Sequence, residues 1–135
     1  MKSVLERDAV PRGAGETVLI VEDDAGLRDI AIEIVSSLGY KVEAAPDGPS
    51  ALAILDEGVP IDVLLTDVVL PGGMNGVALA TAALQRRPSL HVLYTSGYTE
   101  NAILHNGVID GSVKLLDKPY RRKDIAQRLQ QALEV

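Results

Sequence analysis

Short, almost wholly apolar runs alternate along this chain with longer segments whose apolar residues recur every three or four positions. The runs are Thr-Val-Leu-Ile-Val (17–21), Lys-Val-Glu-Ala-Ala (41–45), Ile-Asp-Val-Leu-Leu-Thr (61–66), His-Val-Leu-Tyr-Thr (91–95) and Val-Lys-Leu-Leu (113–116). A stretch such as Val63-Leu64-Leu65, apolar without alternation, suits a strand covered on both faces, as in a parallel sheet between helices. The segments between have helical spacing. Leu27, Ile30, Ala31, Ile34, Val35 and Leu38 make one stripe over 25–38, and Gly39 is placed to end that helix. Asp47 can cap a helix over 49–56, with Pro49 in its first turn. A helix over 77–87 turns Ala80, Ala83 and Leu84 inward until Pro88 stops it, and a short one covers 99–105. The last, 121–133, gathers Ile125, Leu129, Ala132 and Leu133 on one face.

Strands alternating with helices in this way predict an α/β fold with a parallel sheet and right-handed crossovers. The flavodoxin-like (βα)5 three-layer sandwich, with strand order 2-1-3-4-5, is the expected architecture. Residues 1–16 mix charges with Pro11, Gly13 and Gly15 and show no periodicity, so they read as a flexible tail or linker; 17–135 is the domain.

Ligands of open α/β sheets bind at the carboxyl ends of the strands, and here those ends carry the chemistry. The first run stops at Glu22-Asp23-Asp24, the third at Asp67, the fourth at Ser96 and the fifth at Asp117-Lys118-Pro119. Under the order 2-1-3-4-5 the acids after strand 1 become neighbours of Asp67. Clustered carboxylates repel unless a cation lies between them, and a hard divalent cation, most naturally Mg²⁺, takes oxygen ligands of this kind. A lysine beside them suits a phosphoryl oxygen, and an aspartate can be the nucleophile that forms an acyl phosphate. Asp24 reads instead as an acid at a helix N-terminus.

Composition narrows the choice. The 135 residues are 47% apolar and 24% charged, without Phe or Trp, so the core must be aliphatic. The net charge of −6 argues against direct binding of nucleic acid, which needs clustered Lys and Arg. With no Cys, thiolate metal sites and thiol nucleophiles are excluded. No apolar run is long enough to insert in a membrane, and charges occupy the start of the chain where a signal peptide would be apolar. A cytoplasmic domain is expected.

Four segments carry a resemblance: Val-Leu-Ile-Val-Glu22-Asp23-Asp24, Leu-Leu-Thr-Asp67-Val-Val-Leu-Pro, Tyr-Thr-Ser96-Gly97-Tyr and Asp-Lys118-Pro119-Tyr. In this order and spacing they resemble the receiver domain of two-component response regulators, from about Glu16 to the C-terminus. The resemblance implies that Asp67 accepts a phosphoryl group from a histidine kinase or phosphotransfer protein. It implies that Asp23, Asp67 and the backbone carbonyl of Val69 bind Mg²⁺, with Glu22 in support, and that Ser96 and Lys118 hold phosphoryl oxygens, Lys118-Pro119 being usually cis. The domain would catalyse its own phosphorylation and dephosphorylation rather than act as an enzyme on other substrates. It would then signal by conformational change and docking, with homodimerisation through residues 99–133 open. Its kin are single-domain regulators and the C-terminal receivers of hybrid sensor histidine kinases; no output domain is expected after 133.

Three positions depart from the family pattern. The loop Leu70-Pro71-Gly72-Gly73-Met74-Asn75-Gly76 has one extra glycine. Leu115 replaces the aromatic that usually rotates on switching. Val69, two residues after Asp67, offers an attacking water no side-chain hydrogen bond, which implies slow to moderate loss of the phosphoryl group. Two alternatives stand beside this reading. A small Mg²⁺-dependent phosphohydrolase with an Asp nucleophile needs a second Asp where Val69 stands. A protein-binding pseudo-receiver would not need the intact acid set.

Overall fold

The apolar runs come together as one parallel five-stranded sheet in the order β2-β1-β3-β4-β5, which is the order expected. The structure is a computed structural model and describes residues 13–70, 74–96, 115–117 and 122–133, with backbone alone for Ser96 and 115–117. Its elements are β1 (Thr17–Val21), α1 (Ala25–Ser37), β2 (Lys41–Ala45), α2 (Gly48–Asp56), β3 (Val63–Asp67), α3 (Gly76–Arg86), β4 (His91–Ser96), β5 (Leu115–Asp117) and α4 (Arg122–Leu133). Residues 1–12 of the expected tail 1–16, the loop 71–73, the short helix 99–105, the start of the fifth strand and Lys118-Pro119 lie outside the described residues.

Alternation along the strands builds two cores. Leu19, Val21 and Leu64 face α2 and α3, meeting Ala51, Leu55, Leu79, Ala80 and Ala83. Val18, Ile20, Val63, Leu65 and Leu93 face α1 and α4, meeting Ala31, Val35, Leu38, Ile125 and Leu129. All five residues of β3 are buried, since the strand has a neighbour on each side and helices on both faces. Removing one such leucine from water is worth about 1.5–3 kcal/mol.

Two expectations about facing are corrected. Leu84 is 37% exposed and Ile30 is 48% exposed, although both were expected inside. At 100° per residue Leu84 stands roughly 90°, and Ile30 roughly 120°, round its helix from the centre of the buried stripe. In α3 that stripe is Gly76, Leu79, Ala80 and Ala83, so Leu79 takes the inward place. In α1 it centres on Ala31 and Val35.

Side-chain caps start three helices. Asp24 Oδ1 accepts from the Leu27 N–H at 2.9 Å, Asp47 Oδ1 from Ser50 at 2.8 Å and Asn75 Oδ1 from Ala78 at 2.8 Å. The Asp47 carboxyl is held below its ordinary range chiefly by the bonds from Ser50. Gly39 ends α1 with φ +95°, and a Cβ there would lie 2.9 Å from the Gly13 carbonyl. That closeness reflects how residues 13–16 lie along the α1–β2 turn: Gly13 N–H donates to the Leu38 carbonyl and Gly15 N–H to that of Gly39. Asp62 holds the start of β1, its Oδ2 accepting from the Thr17 N–H at 2.9 Å.

Candidate functional site

At the carboxyl edge of the sheet, strand register decides which polar groups meet. Val21 pairs with Thr66, and Asp67 with Thr95. One step beyond β1, Glu22 comes level with Asp67. The result is that Glu22, Asp23 and Asp67 can each place a carboxylate oxygen within 4.8 Å of the other two. Glu22 and Asp67 are buried, at 1% and 2% exposure, whereas Asp23 faces outward.

The segment that carries the acids is fixed from within. Glu22 N–H donates to the Ala45 carbonyl, extending the β1–β2 ladder by one bond. The Glu22 carboxylate accepts from the Asp24 N–H at 3.1 Å, and Arg28 Nη1 donates to the Glu22 carbonyl at 2.9 Å. With Asp24 capping α1, the turn is held at both ends. Asp24 therefore has the helix-terminal role expected of it, while Glu22 and Asp23 converge on Asp67.

The other wall follows β3. Val68 N–H donates to the Thr95 carbonyl, so pairing with β4 continues past Asp67. The chain then loops and returns at Gly76, whose N–H donates to the Val68 carbonyl at 2.7 Å. A Cβ on Gly76 would lie 2.0 Å from the Asp67 carbonyl oxygen. Only glycine fits a return this close to Asp67. Met74, beside the extra glycine, packs over the N-terminus of α2, where a Cβ on Gly48 would meet its sulfur at 2.6 Å. Val69 is 43% exposed between the buried Val68 and Leu70. Ser96 ends β4 at the same edge, and Asp117 pairs with it on β5. The Ser96 side chain and Lys118 lie outside the described residues.

Chemically the three oxygens form a hard, anionic donor set. Two unit charges about 4 Å apart repel by roughly 4 kcal/mol at an effective dielectric near 20. A divalent cation reverses that sign, and oxygen-only ligands with an exposed side suit Mg²⁺, which keeps several waters. The sequence pointed to these acids because each ends an apolar run. It did not point to Gly76 or Arg28. Nor did it single out Thr95, a buried hydroxyl level with Asp67; strand register, which a single sequence does not display, puts it there.

Comparison with known proteins adds an independent line. The family model described as "Response regulator receiver domain" matches residues 18–130. The "Sensor kinase CckA" of Brucella abortus is 34% identical over 119 residues, covering 87% of this chain and 12% of that kinase. The "Response regulator receiver protein CpdR" of the same organism is 30% identical over 116 residues, covering 86% of this chain and 95% of that protein. Among solved structures, the receiver domain from the hybrid histidine kinase CckA superposes with a TM-score of 0.71 at 31% identity, covering 87% of this chain and 98% of that one. Chemotaxis protein CheY4 of Vibrio cholerae gives a TM-score of 0.76 at 28% identity, covering 89% and 100%. The chain thus spans nearly all of one relative and about an eighth of another.

Proposed function

Because the chain belongs to the response regulator receiver domain family, whose members act in two-component phosphorelay signalling, we propose that Asp67 is its phosphoacceptor. The observation that carries this reading is the convergence of Glu22, Asp23 and Asp67 carboxylate oxygens within 4.8 Å at the carboxyl edge of the sheet. Receiver domains in general bind Mg²⁺ through acidic residues, and this donor set fits the ion. Asp23 and Asp67 would hold it with the backbone carbonyl of Val69, and Glu22 would support it. When bound, it offsets negative charge on the carboxylates and on an incoming phosphoryl group.

The chain's own residues supply the rest. An Asp67 carboxylate oxygen attacks the phosphorus of a phosphohistidine. The P–N bond breaks, its electron pair stays on the imidazole, and Asp67 becomes an acyl phosphate. The burial of Asp67 keeps bulk water from competing for the phosphoryl group. Ser96 and Lys118 would hold phosphoryl oxygens by hydrogen bond and charge. The donor would be a histidine kinase or phosphotransfer protein, in the cytoplasm. The added charge of roughly −1.5 to −2 would bias the face that residues 99–105 share with β5 and α4 towards docking a partner or a second copy. With Leu115 in place of an aromatic, a shift of α4 rather than rotation of a ring would carry the signal. A phosphohydrolase reading lacks its second acid, since Val69 stands in that place.

The test is intact-mass measurement after incubation with acetyl phosphate, with and without Mg²⁺. One phosphoryl adduct that needs Mg²⁺, survives acid, is lost in base and is missing from Asp67→Asn is expected. No adduct from any small donor or kinase would sink the reading, and repeated turnover of phosphate esters would replace it with a hydrolase.

A further inference from the structure

The geometry points to Thr95 as a positioning residue that sets the lifetime of the acyl phosphate on Asp67. This deepens the reading of Asp67 as phosphoacceptor and rests on it. Thr95 is 2% exposed, and its Oγ1 is wholly enclosed without a hydrogen-bond partner among the described residues. A buried hydroxyl left this way is destabilising, whereas a valine of the same shape would carry no such cost. The hydroxyl therefore needs a reason to be there, and its neighbours supply one.

Leu93 faces α1 and α4 together with Val63 and Leu65. Two residues further along each strand, Thr95 and Asp67 face the same side and are paired in register. Parallel strands lie about 4.8 Å apart, so one rotamer change brings the Thr95 hydroxyl to the Asp67 carboxyl group. Glu22 completes a row of buried polar groups across the sheet edge. Thr95 is level with Asp67 and does not project beyond it. It therefore reaches the carboxyl oxygens themselves, while phosphoryl oxygens stand one bond further out.

That placement fixes the direction of the effect. A donor holds a charged carboxylate oxygen more strongly than the ester-like oxygen of an acyl phosphate. In hydrolysis a water oxygen bonds to phosphorus and the P–O bond to Asp67 breaks. The electron pair returns to the carboxylate, and both of the water's protons leave with inorganic phosphate. The Thr95 hydroxyl keeps its own proton and stabilises the departing carboxylate. It thus shortens the life of the phosphorylated state.

Thr95→Val and Thr95→Ser, made in the full chain and loaded with acetyl phosphate and Mg²⁺, test this. The phosphoryl adduct is followed by intact mass after donor removal, and thermal unfolding of the unloaded proteins is measured alongside. Thr95→Val should lengthen the adduct's life about tenfold, the kinetic equivalent of one hydrogen bond to a charged group. Thr95→Ser should stay within about twofold of the parent. The melting curves serve to show that both unloaded variants are folded. An unchanged or shortened lifetime in a folded Thr95→Val, or equal lengthening in both variants, would each overturn the assignment. If the parent takes up no phosphoryl group, the phosphoacceptor reading fails and this inference with it; a failure of the Thr95 arms alone leaves that reading standing.

Discussion

Gly76 occupies a place where a single methyl group would collide with the Asp67 carbonyl, since a Cβ there would be 2.0 Å from that oxygen. The nearest atoms are backbone, so no side-chain rotation relieves the contact. Gly76→Ala should therefore lose about 1–3 kcal/mol or more, by displacing either the end of β3 or the start of α3. Denaturant unfolding reads the loss, and intact mass after acetyl phosphate should show reduced adduct at equal donor. An alanine variant with parental stability would mean that the loop returns by another path. Val69 supports a second expectation at this scale. Its side chain is 43% exposed beside Asp67 and offers water no hydrogen bond, so the adduct should outlast seconds after donor removal. Decay within seconds, followed with labelled phosphate, would contradict it.

At the scale of elements, burial and capping predict different costs. Leu64 is fully enclosed in β3, and Leu64→Ala should lose about 2–5 kcal/mol. Asn75→Ala removes one cap from α3 and should lose about 1 kcal/mol. The Arg86–Asp56 pair joins α3 to α2 at 2.7 Å on the surface, and breaking it should cost less than about 1 kcal/mol. Chemical denaturation of the three variants checks the ranking. The elements themselves were largely legible, because strands buried on both faces must read as apolar runs and helices must carry a stripe. Facing was less legible. Ile30 and Leu84 fit an i, i+4 pattern yet lie at the edges of their stripes, and only contact with the sheet decides where a stripe is centred. The ends of β3 shifted for a related reason: Ile61 and Asp62 are spent on the turn, where Asp62 holds Thr17 and its carbonyl accepts from His91.

For the molecule as a whole, two linkages are measurable. If Glu22, Asp23 and Asp67 bind Mg²⁺ only in the folded state, the ion at a hundred times its dissociation constant should add about 2.7 kcal/mol of stability. Asp23→Asn should abolish most of that gain in a thermal melt, and equal gains with and without Asp23 would remove it from the ion site. The second linkage is alkaline. Burial raises the Tyr94 phenol above its ordinary 10.0; burial and then the Glu16 charge do the same for Tyr40. The stability tied to these neutral phenols is complete below the unfolded-chain value near 10 and is lost as pH rises through the higher folded values. Tyr94→Phe should lose less stability above pH 10 than the parent, as measured by unfolding across that range.

The same scale shows why only part of the site could be read from one chain. Acids that end apolar runs announce themselves, so Glu22, Asp23 and Asp67 were legible. Thr95 was not, because only the pairing of β3 with β4 sets it level with Asp67. Gly76 was hidden as one of several glycines until the loop's return to the Asp67 carbonyl was seen.

The most direct measurement of the central claim is chemical mapping of the phosphorylated residue. After loading with acetyl phosphate and Mg²⁺, borohydride reduction converts an aspartyl phosphate to homoserine, which peptide mass spectrometry then locates. Homoserine at position 67 alone is the predicted result. Reduction at another acid, or at none while the parent still carries a phosphoryl group, would contradict the account.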